Sequence, residues 1–266
     1  MICFPNAKIN LGLHITGKRS DGYHTIETIF YPIPLTDALE AVKSEKTSLK
    51  QTGIKLDSEP DENLVMKAYK FMSKKYNLSP LEIHLKKAIP SGAGLGGGSA
   101  DAAFALKLIN NLCECNISEE KLEKIAASIG ADCPFFIRNK PVIATGIGNI
   151  FNPSDILLNG YTIYVVKPPV AVSTKEAYSN IIPQKPEFSL NKLSSLPVSE
   201  WRYLLKNDFE PYIFEKFPVI REIKNKLYSL GAEYAAMSGS GSSVFGLFKN
   251  TISPKFSDCF VWKGTL

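Results

Sequence analysis

The amino-acid sequence predicts an α+β protein with two domains. Segments with the two-residue period of strands and segments with the 3.6-residue period of helices both occur, but without the regular strand–helix–strand spacing that builds a parallel sheet. A chain of 266 residues is longer than one average domain and short for three. The patterning changes near residue 150, so we predict an N-terminal domain over residues 1–152 and a C-terminal domain over residues 153–266.

The first strand is predicted at Cys3–Thr16, where apolar and polar residues alternate. Lys8 and Asn10 both belong to its polar face, so one strand presents an ammonium and an amide together. Lys8 is then either part of a polar site or a lysine on the solvent-exposed face of a sheet. A turn-rich connection, Gly17–His24, leads to a second β-type run at Thr25–Pro32.

The middle of the N-terminal domain predicts a helix, a strand and two further helices. Asn63–Tyr76 has helical composition, and Leu81–Leu85 alternates apolar with polar residues. A helix is predicted to begin near Ser99, since the apolar residues after it share one helical face, namely Ala105, Leu108, Ile109 and Leu112. The next helix is predicted to begin after Ser118 as N-cap and to end at Gly130.

The segment PSGAGLGGGSADAA, Pro90–Ala103, predicts a backbone cradle for phosphate between a strand and a helix. Five of the seven residues Gly92–Gly98 are glycine, which lets consecutive N–H groups turn toward an anion. The helix that follows adds its N-terminal N–H groups and its dipole. The Walker pattern is absent. The dinucleotide pattern G-x-G-x-x-G is matched, but the strand and acidic residue expected after it are missing, so a Rossmann site fits weakly. A glycine-rich turn without a ligand is the other alternative.

The C-terminal domain begins with a strand at Tyr161–Lys167 that ends at two prolines. Pro183–Ser199 has the composition of a loose connection, and a helix follows that ends at Gly231. Two apolar runs, Tyr234–Met237 and Val244–Phe248, flank the sequence SGSGSS. This short sequence is either a tight turn between strands or a binding turn.

Composition bounds the compartment and the partners. The five cysteines form no C-x-x-C pair, which suits a reducing compartment and indicates neither a disulfide framework nor a zinc site. We find no signal sequence and no apolar stretch of membrane-spanning length, so we predict a soluble, cytoplasmic protein. The net charge of +5 comes from scattered basic residues. It suits an anionic substrate or RNA, but the basic tract usual in RNA-binding proteins is absent.

Asp132, in the segment GADCPFF, is by itself either a turn aspartate or a functional carboxylate. Together with PNAKINLGLHITGKRSDGYHTIET, PSGAGLGGGSADAA, NDFEP and MSGSGSSVFGLF, in this order, it makes the chain resemble the GHMP small-molecule kinases. The resemblance runs from the first residues to about Phe248. It implies a two-domain GHMP kinase fold, with an N-terminal ribosomal protein S5 domain 2-like domain and a C-terminal ferredoxin-like α/β sandwich.

The resemblance implies a kinase that uses ATP and Mg²⁺. Through G-x-R-x-D-G-Y-H at Gly17–His24 it implies phosphoryl transfer to the 2-hydroxyl of a cytidine-diphosphate-linked methylerythritol, in the non-mevalonate route to isopentenyl diphosphate. Asp132 is then the general base and Lys8 its electrostatic partner. The residues implied to bind ATP are Asn63, Pro90, Ser91, Gly92, Ala93, Gly94, Leu95, Gly96, Gly97, Gly98, Ser99 and Ala100. Those implied to bind the substrate are Asn10, Tyr23, His24, Tyr178, Gly239 and Ser240, and no metal ligand is assigned.

Several assignments keep an alternative. Tyr178 is either a stacking wall for a base or a tyrosine of an apolar helix face, and Ser99 is either a metal or phosphate ligand or a helix cap. Ala100 stands where family members often have a second serine, which puts a hydroxyl role there in doubt. Asp101 opposes nearby phosphate, so we expect its side chain to point away.

The sequence is also compatible with two other functions. One is another GHMP kinase that acts on homoserine, mevalonate or a sugar. The other is a non-catalytic nucleotide-binding or RNA-binding protein. Our expectation is a monomer or weak homodimer that binds a small-molecule substrate and neither nucleic acid nor membrane.

Overall fold

The structure is a computed structural model that describes residues 1–55 and 62–266. Its strands are β1 (Ile2–Cys3), β2 (Asn6–Lys18), β3 (His24–Thr36), β4 (Ala38–Lys43), β5 (Ser48–Gly53), β6 (Leu81–Lys87), β7 (Val142–Thr145), β8 (Ile150–Pro153), β9 (Thr162–Lys167), β10 (Tyr234–Met237), β11 (Val244–Phe248) and β12 (Phe260–Thr265). Its α-helices are α1 (Leu64–Tyr76), α2 (Gly97–Leu112), α3 (Glu119–Ala127), α4 (Cys133–Arg138), α5 (Thr174–Ser179), α6 (Trp201–Leu204), α7 (Glu210–Lys216) and α8 (Pro218–Ser229).

The elements with clear periodicity are confirmed, namely β2, β3, α1, β6, α2, α3, β9, α8, β10 and β11. Elements that are short or polar are not predicted by the sequence pattern. β5, with the sequence SLKQTG, has few apolar residues and is a strand because it pairs with β6. Helix α4 has six residues, too few for a helical period to show. β5 therefore depends on its pairing with β6, and α4 is too short to be predicted from periodicity.

The described residues form two compact units, and each unit is assembled from several stretches of chain. The first unit contains Met1–Ala7, Leu35–Ser91 apart from the undescribed 56–61, and Gly96–Lys140, and the second contains Lys8–Pro34, Gly92–Leu95 and Pro141–Leu266. These units cut the chain differently from the predicted continuous domains, and the predicted boundary after residue 152 stays a prediction. The glycine-rich loop passes from the second unit into the first between Leu95 and Gly96.

The first unit has a four-stranded sheet in the order β1-β4-β6-β5, in which β5 runs parallel to β6 and the other pairs are antiparallel. Helix α2 packs against α1 and also contacts β4, α3 and α4. Its buried face is rich in alanine, which allows this close approach on several sides. The helix that follows the glycine-rich loop is therefore held firmly inside its unit.

The second unit contains two four-stranded sheets, in the orders β2-β3-β7-β8 and β10-β11-β9-β12. Helix α8 packs on β10 and β11 through its apolar residues Ile220, Ile223 and Leu227. The predicted alternation of β2 is correct, but its polar face is also buried, since Lys8 is 4% exposed and Asn10 is 2% exposed. The solvent-exposed alternative for Lys8 is therefore wrong.

All five cysteines are free thiols. Across residues 1–55 and 62–266, the structure contains no helix with both the length and the apolar character needed to cross a bilayer.

Candidate active site

Three residues of the glycine-rich loop have left-handed backbone conformations that favour glycine. Gly92, Gly94 and Gly96 have φ angles of +57°, +73° and +71°, values that side-chain-bearing residues rarely adopt. Helix α2 begins at Gly97, and its N-cap residue Gly96 makes no side-chain hydrogen bond to the helix. No acidic residue lies in the first turn. The N–H groups and positive dipole end of a 16-residue helix are thus available to an anion.

In the second unit, the first part of this loop packs against the SGSGSS turn. A Cβ atom on Gly94 would lie 1.8 Å from the carbonyl oxygen of Ser238, so only glycine fits there. The Ser238 hydroxyl donates to the Gly94 carbonyl at 2.8 Å, and the Ser243 N–H donates to the Ala93 carbonyl at 3.2 Å. Gly239 lies in contact with Gly94. Two glycine-rich segments separated by more than 140 residues are therefore built as one surface.

Asn207, from the segment NDFEP, holds this turn in place, a role that was not predicted from the sequence. Its Nδ2 donates to the carbonyl oxygens of Met237 at 2.8 Å and Gly239 at 2.9 Å. Its Oδ1 accepts from the N–H of Phe209 at 3.0 Å. The side chain is 3% exposed. The motif in which Asn207 occurs was the only signal in the sequence that pointed to it.

Lys8 brings a buried positive charge to the glycine-rich loop within the second unit. Its Nζ donates to Asn10 Oδ1 at 2.7 Å and to the Gly94 carbonyl at 3.1 Å, and it lies 5.1 Å from the centre of the Phe30 ring. The Lys8 backbone N–H donates to the Leu95 carbonyl at 2.9 Å. The pairing of Lys8 with Asn10 predicted from strand alternation is thus confirmed, and the loop is hydrogen-bonded to the same strand.

In the first unit, Asp101 forms a buried cluster with Lys87 and Asp37. Lys87 Nζ donates to Asp101 Oδ2 at 2.6 Å and also to Asp37, whose other oxygen accepts from the N–H groups of Ala88 and Ile89. All three charged side chains are at most 3% exposed. Burial raises the pKa of Asp101 to about 7, against the opposing effect of Lys87. Through its hydrogen bond with Lys87, Asp101 anchors α2 to the end of β6, a role that was not predicted from the sequence.

Asp132 is the N-cap residue of α4 and is half-buried in the first unit. The next residue, Cys133, is buried, and burial raises the pKa of its thiol to about 11 although the Ser99 hydroxyl hydrogen-bonds to it. Cys133 is therefore protonated near neutral pH and is not a nucleophile. Ser99 lies inside the first turn of α2, three residues after the N-cap Gly96. The helix-cap alternative for Ser99 is therefore wrong.

The connection Gly17–His24 is shaped by an ion pair. Arg19 donates to Asp21 through Nε and Nη2, and Asp21 Oδ1 also accepts from the backbone N–H of Tyr23. Tyr23, the residue just before β3, is 60% exposed. The arginine and aspartate of the G-x-R-x-D-G-Y-H pattern thus build the turn that presents the aromatic residues.

His24 and Tyr178 stack on each other in the second unit, with ring centroids 5.0 Å apart and 28° between the planes. Tyr178, on α5, also packs edge-on against the buried Phe209. Tyr178 therefore packs on the core, as an apolar-face tyrosine does, and its role as a stacking wall for a base stays a prediction. Partial burial, with the charge of Lys18, lowers the pKa of His24, which favours the neutral imidazole.

The other predicted site residues are placed as follows. Asn63 is the N-cap of α1, and its Oδ1 accepts from the N–H of Val65 at 2.9 Å. The Ser240 hydroxyl lies 3.0 Å from that of Thr174. Lys8, Asn10, Gly94 and Gly239 come together in the second unit, while Asn63, Ser99 and Asp132 belong to the first. Among the described residues, no three His, Cys, Asp or Glu side chains are grouped to hold a metal ion.

Two domain models of one protein family match this chain. The family model for the GHMP kinases N terminal domain matches residues 63–140, and the model for the GHMP kinases C terminal domain matches residues 196–255. The two matches fall on either side of the predicted boundary after residue 152.

Curated relatives match along the whole chain. A Parabacteroides distasonis protein named 4-diphosphocytidyl-2-C-methyl-D-erythritol kinase is 60% identical over 270 residues, and both chains are covered completely. A Bacteroides fragilis protein of the same name is 58% identical over 252 residues, covering 93% of this chain and 92% of the relative.

Solved structures give a consistent comparison. A crystal structure of 4-(cytidine 5'-diphospho)-2C-methyl-D-erythritol kinase is 31% identical with a TM-score of 0.80, covering 93% of this chain and 90% of the other. The mevalonate kinase of Methanococcus jannaschii has a TM-score of 0.71 at 13% identity, covering 99% and 97%, a similarity that shows the fold alone.

Proposed function

The chain belongs to the GHMP kinases, and on that premise we propose that it uses ATP to phosphorylate the 2-hydroxyl of 4-diphosphocytidyl-2-C-methyl-D-erythritol. The products are the 2-phosphate of this alcohol and ADP, in the non-mevalonate route to isopentenyl diphosphate. The two-domain GHMP kinase fold predicted from the sequence is confirmed. The full-length relatives that carry this kinase name support the substrate.

The observation that carries the proposal is the buried ammonium of Lys8 beside the glycine-rich loop. Lys8 is 4% exposed, and its ammonium donates a hydrogen bond to the Gly94 carbonyl. It therefore holds a positive charge beside the loop whose N–H groups we propose to bind an anion. Phosphoryl transfer depends chiefly on positioning and on the stabilisation of negative charge around the transferred group. A cation held against a phosphate cradle suits that chemistry.

The nucleotide site proposed here is the loop Pro90–Ala100 with Asn63. The uncapped N-terminus of α2 and the positive φ angles of the loop support binding of the ATP phosphates through backbone N–H groups. Since its Oδ1 caps α1, Asn63 would contact the nucleotide through its amide N–H groups.

Mg²⁺ is part of the proposal, and the residues present fit an ion that takes few ligands from the protein. The described part of the chain offers no cluster of three metal-ligating side chains, so the ion would be held mainly by phosphate oxygens and water, as Mg²⁺ often is. The Ser99 hydroxyl, in the first turn of α2, is the protein ligand we propose. The ion would supply positive charge to offset that of the triphosphate.

The reaction we propose forms a bond between the substrate 2-oxygen and the γ-phosphorus and breaks the bond from that phosphorus to the ADP oxygen. Asp132 accepts the hydroxyl proton, and Lys8 stabilises the charge on the transferred oxygens.

The substrate contacts we propose are those of Asn10, Tyr23, His24, Tyr178, Gly239 and Ser240. The exposed ring of Tyr23 and the stacked pair of His24 and Tyr178 offer faces for a pyrimidine base. A neutral His24 can both donate and accept a hydrogen bond at the base edge. A Cβ atom built on Gly239 would lie 3.6 Å from Asn10 Oδ1, so the turn and β2 line one surface.

The test is ATP-dependent phosphorylation of the cytidine-diphosphate-linked methylerythritol, compared with methylerythritol that lacks the nucleotide. ADP release is followed by a coupled assay, and the product is identified by mass spectrometry. We expect turnover with the nucleotide-linked alcohol and at least a hundredfold lower kcat/KM without it. Equal use of the two alcohols, or preference for homoserine, mevalonate or a sugar in the same assay, would overturn the substrate assignment.

A further inference from the structure

Behind Lys8 and Asn10 runs a chain of buried hydrogen bonds that ends on Thr28 of β3. Lys8 Nζ donates to Asn10 Oδ1 at 2.7 Å, and Asn10 Nδ2 donates to Thr28 Oγ1 at 3.0 Å. The Thr28 hydroxyl in turn donates to the carbonyl oxygen of Gly12. Thr28 is 0% exposed, and Asn10 and Lys8 are at most 4% exposed. Four groups on two strands of one sheet are thus linked in a region that excludes water.

The last member of this chain sets the direction of every bond in it. A backbone carbonyl can only accept, so the single hydrogen of the Thr28 hydroxyl is directed at Gly12. Thr28 Oγ1 must then accept from its other neighbour, and only the NH₂ end of the Asn10 amide can donate to it. The carbonyl end of Asn10 is thereby turned toward the Lys8 ammonium.

The opposite orientation of the amide would lose both bonds. The NH₂ group of Asn10 would face an ammonium, which only donates, and its carbonyl would face a hydroxyl whose hydrogen is already directed elsewhere. Buried polar groups without a partner are costly, so the hydroxyl of Thr28 makes one amide orientation strongly preferred. Without that hydroxyl, the preference would come from Lys8 alone.

We propose that Thr28 is a positioning residue for phosphoryl transfer, acting through Asn10 to hold the Lys8 ammonium against the Gly94 carbonyl of the glycine-rich loop. Thr28 touches neither substrate nor nucleotide in this proposal. The inference rests on the proposed role of Lys8 in catalysis. It assigns to β3 a role that its sequence pattern does not reveal.

The test compares Thr28→Val, which keeps the shape and removes the hydroxyl, with Thr28→Ser, which keeps the hydroxyl. We expect Thr28→Val to lower kcat tenfold to hundredfold with KM for ATP changed by less than about threefold, the size expected from one buried hydrogen bond. Thr28→Ser should recover most of the lost kcat. Thr162→Val, which removes a buried hydroxyl from β9, serves as the matched control and should keep the wild-type kcat.

Lys8→Ala is measured alongside, so that the inference and the function it rests on fail separately. A large loss in Lys8→Ala with wild-type kcat in Thr28→Val would overturn the role of Thr28 and leave that of Lys8 intact. Wild-type kcat in Lys8→Ala would overturn both. Equal losses in the Val and Ser variants would show that the hydroxyl is not what matters and would also overturn the inference. Should Thr28→Val fail to fold, Thr28→Ala removes the same hydroxyl without the added methyl group and is read by the same criteria.

Discussion

Replacement of Asn207 tests whether the SGSGSS turn is held by one side chain. Asn207→Ala removes the donor to the Met237 and Gly239 carbonyls and the acceptor for the Phe209 N–H. Asn207→Asp keeps the shape and the acceptor but loses both donors, and it places a carboxylate beside two carbonyl oxygens. The two variants therefore separate the donor bonds from the space that the side chain fills.

The size of the effect follows from the three bonds. Asn207 is 3% exposed, so water cannot easily replace what the mutation removes. A buried polar group left without a partner costs about 1–3 kcal/mol, and some relaxation of the turn is expected. We therefore expect Asn207→Ala to lower the free energy of unfolding by about 3–5 kcal/mol. Asn207→Asp should lose at least as much, because its carboxylate faces acceptors and is desolvated.

The assay is equilibrium unfolding in urea at pH 7, followed by circular dichroism and tryptophan fluorescence. Asn152→Ala, at an exposed position of β8, is the matched control and should change the free energy of unfolding by less than about 0.5 kcal/mol. A loss below about 1 kcal/mol in Asn207→Ala, or an equal loss in the control, would refute the reasoning, since the three bonds would then contribute little.

Three further predictions concern the loop, the general base and the buried carboxylate. Asp132→Asn should lower kcat about 10²–10⁴-fold in the coupled assay if Asp132 accepts the proton, and near wild-type turnover would contradict that role. Gly94→Ala should raise KM for ATP at least about tenfold, because its Cβ would lie 1.8 Å from the Ser238 oxygen and the loop must move. Gly160→Ala, which also has a positive φ but no atom within 4 Å of its Cβ, should keep the wild-type KM. The pKa of Asp101 is raised from 3.8 to about 7, so the folded chain binds this proton more tightly than the unfolded chain does, and stability should fall as pH rises from about 4 to about 7. The urea midpoint should therefore be higher at pH 5.5 than at pH 8, and Asp101→Asn should reduce this difference; an unchanged difference would contradict the assignment to Asp101.

Strand β2 shows how far periodicity carries. The alternation of Cys3–Thr16 correctly predicted a strand and the shared face of Lys8 and Asn10. It could not say that this polar face is buried, because a two-residue period tells which side chains are together and not what covers them. The same limit applies to Asp101, whose partner Lys87 ends a strand that precedes it by 14 residues.

The glycine-rich loop shows the same division. Its composition was enough to predict a phosphate cradle, since only glycine lets successive N–H groups turn inward. The contact between Gly94 and Ser238 could not be predicted, because it depends on how the fold brings together two segments 144 residues apart. The role of Asn207 was missed for the same reason, although the NDFEP motif contained it.

By itself the sequence determined the fold class, the family and the main strands and helices, and it predicted a phosphate-binding loop, because periodicity, glycine content and motif order are read along the chain without knowledge of the fold. Only the tertiary structure decided that Lys8 and Asn10 are buried, that Asn10 donates a hydrogen bond to Thr28, that Asn207 holds the SGSGSS turn and that Asp101 pairs with Lys87. The physical reason is that a buried polar group needs a partner, and the partner is supplied by whichever distant segment the fold brings within hydrogen-bonding distance.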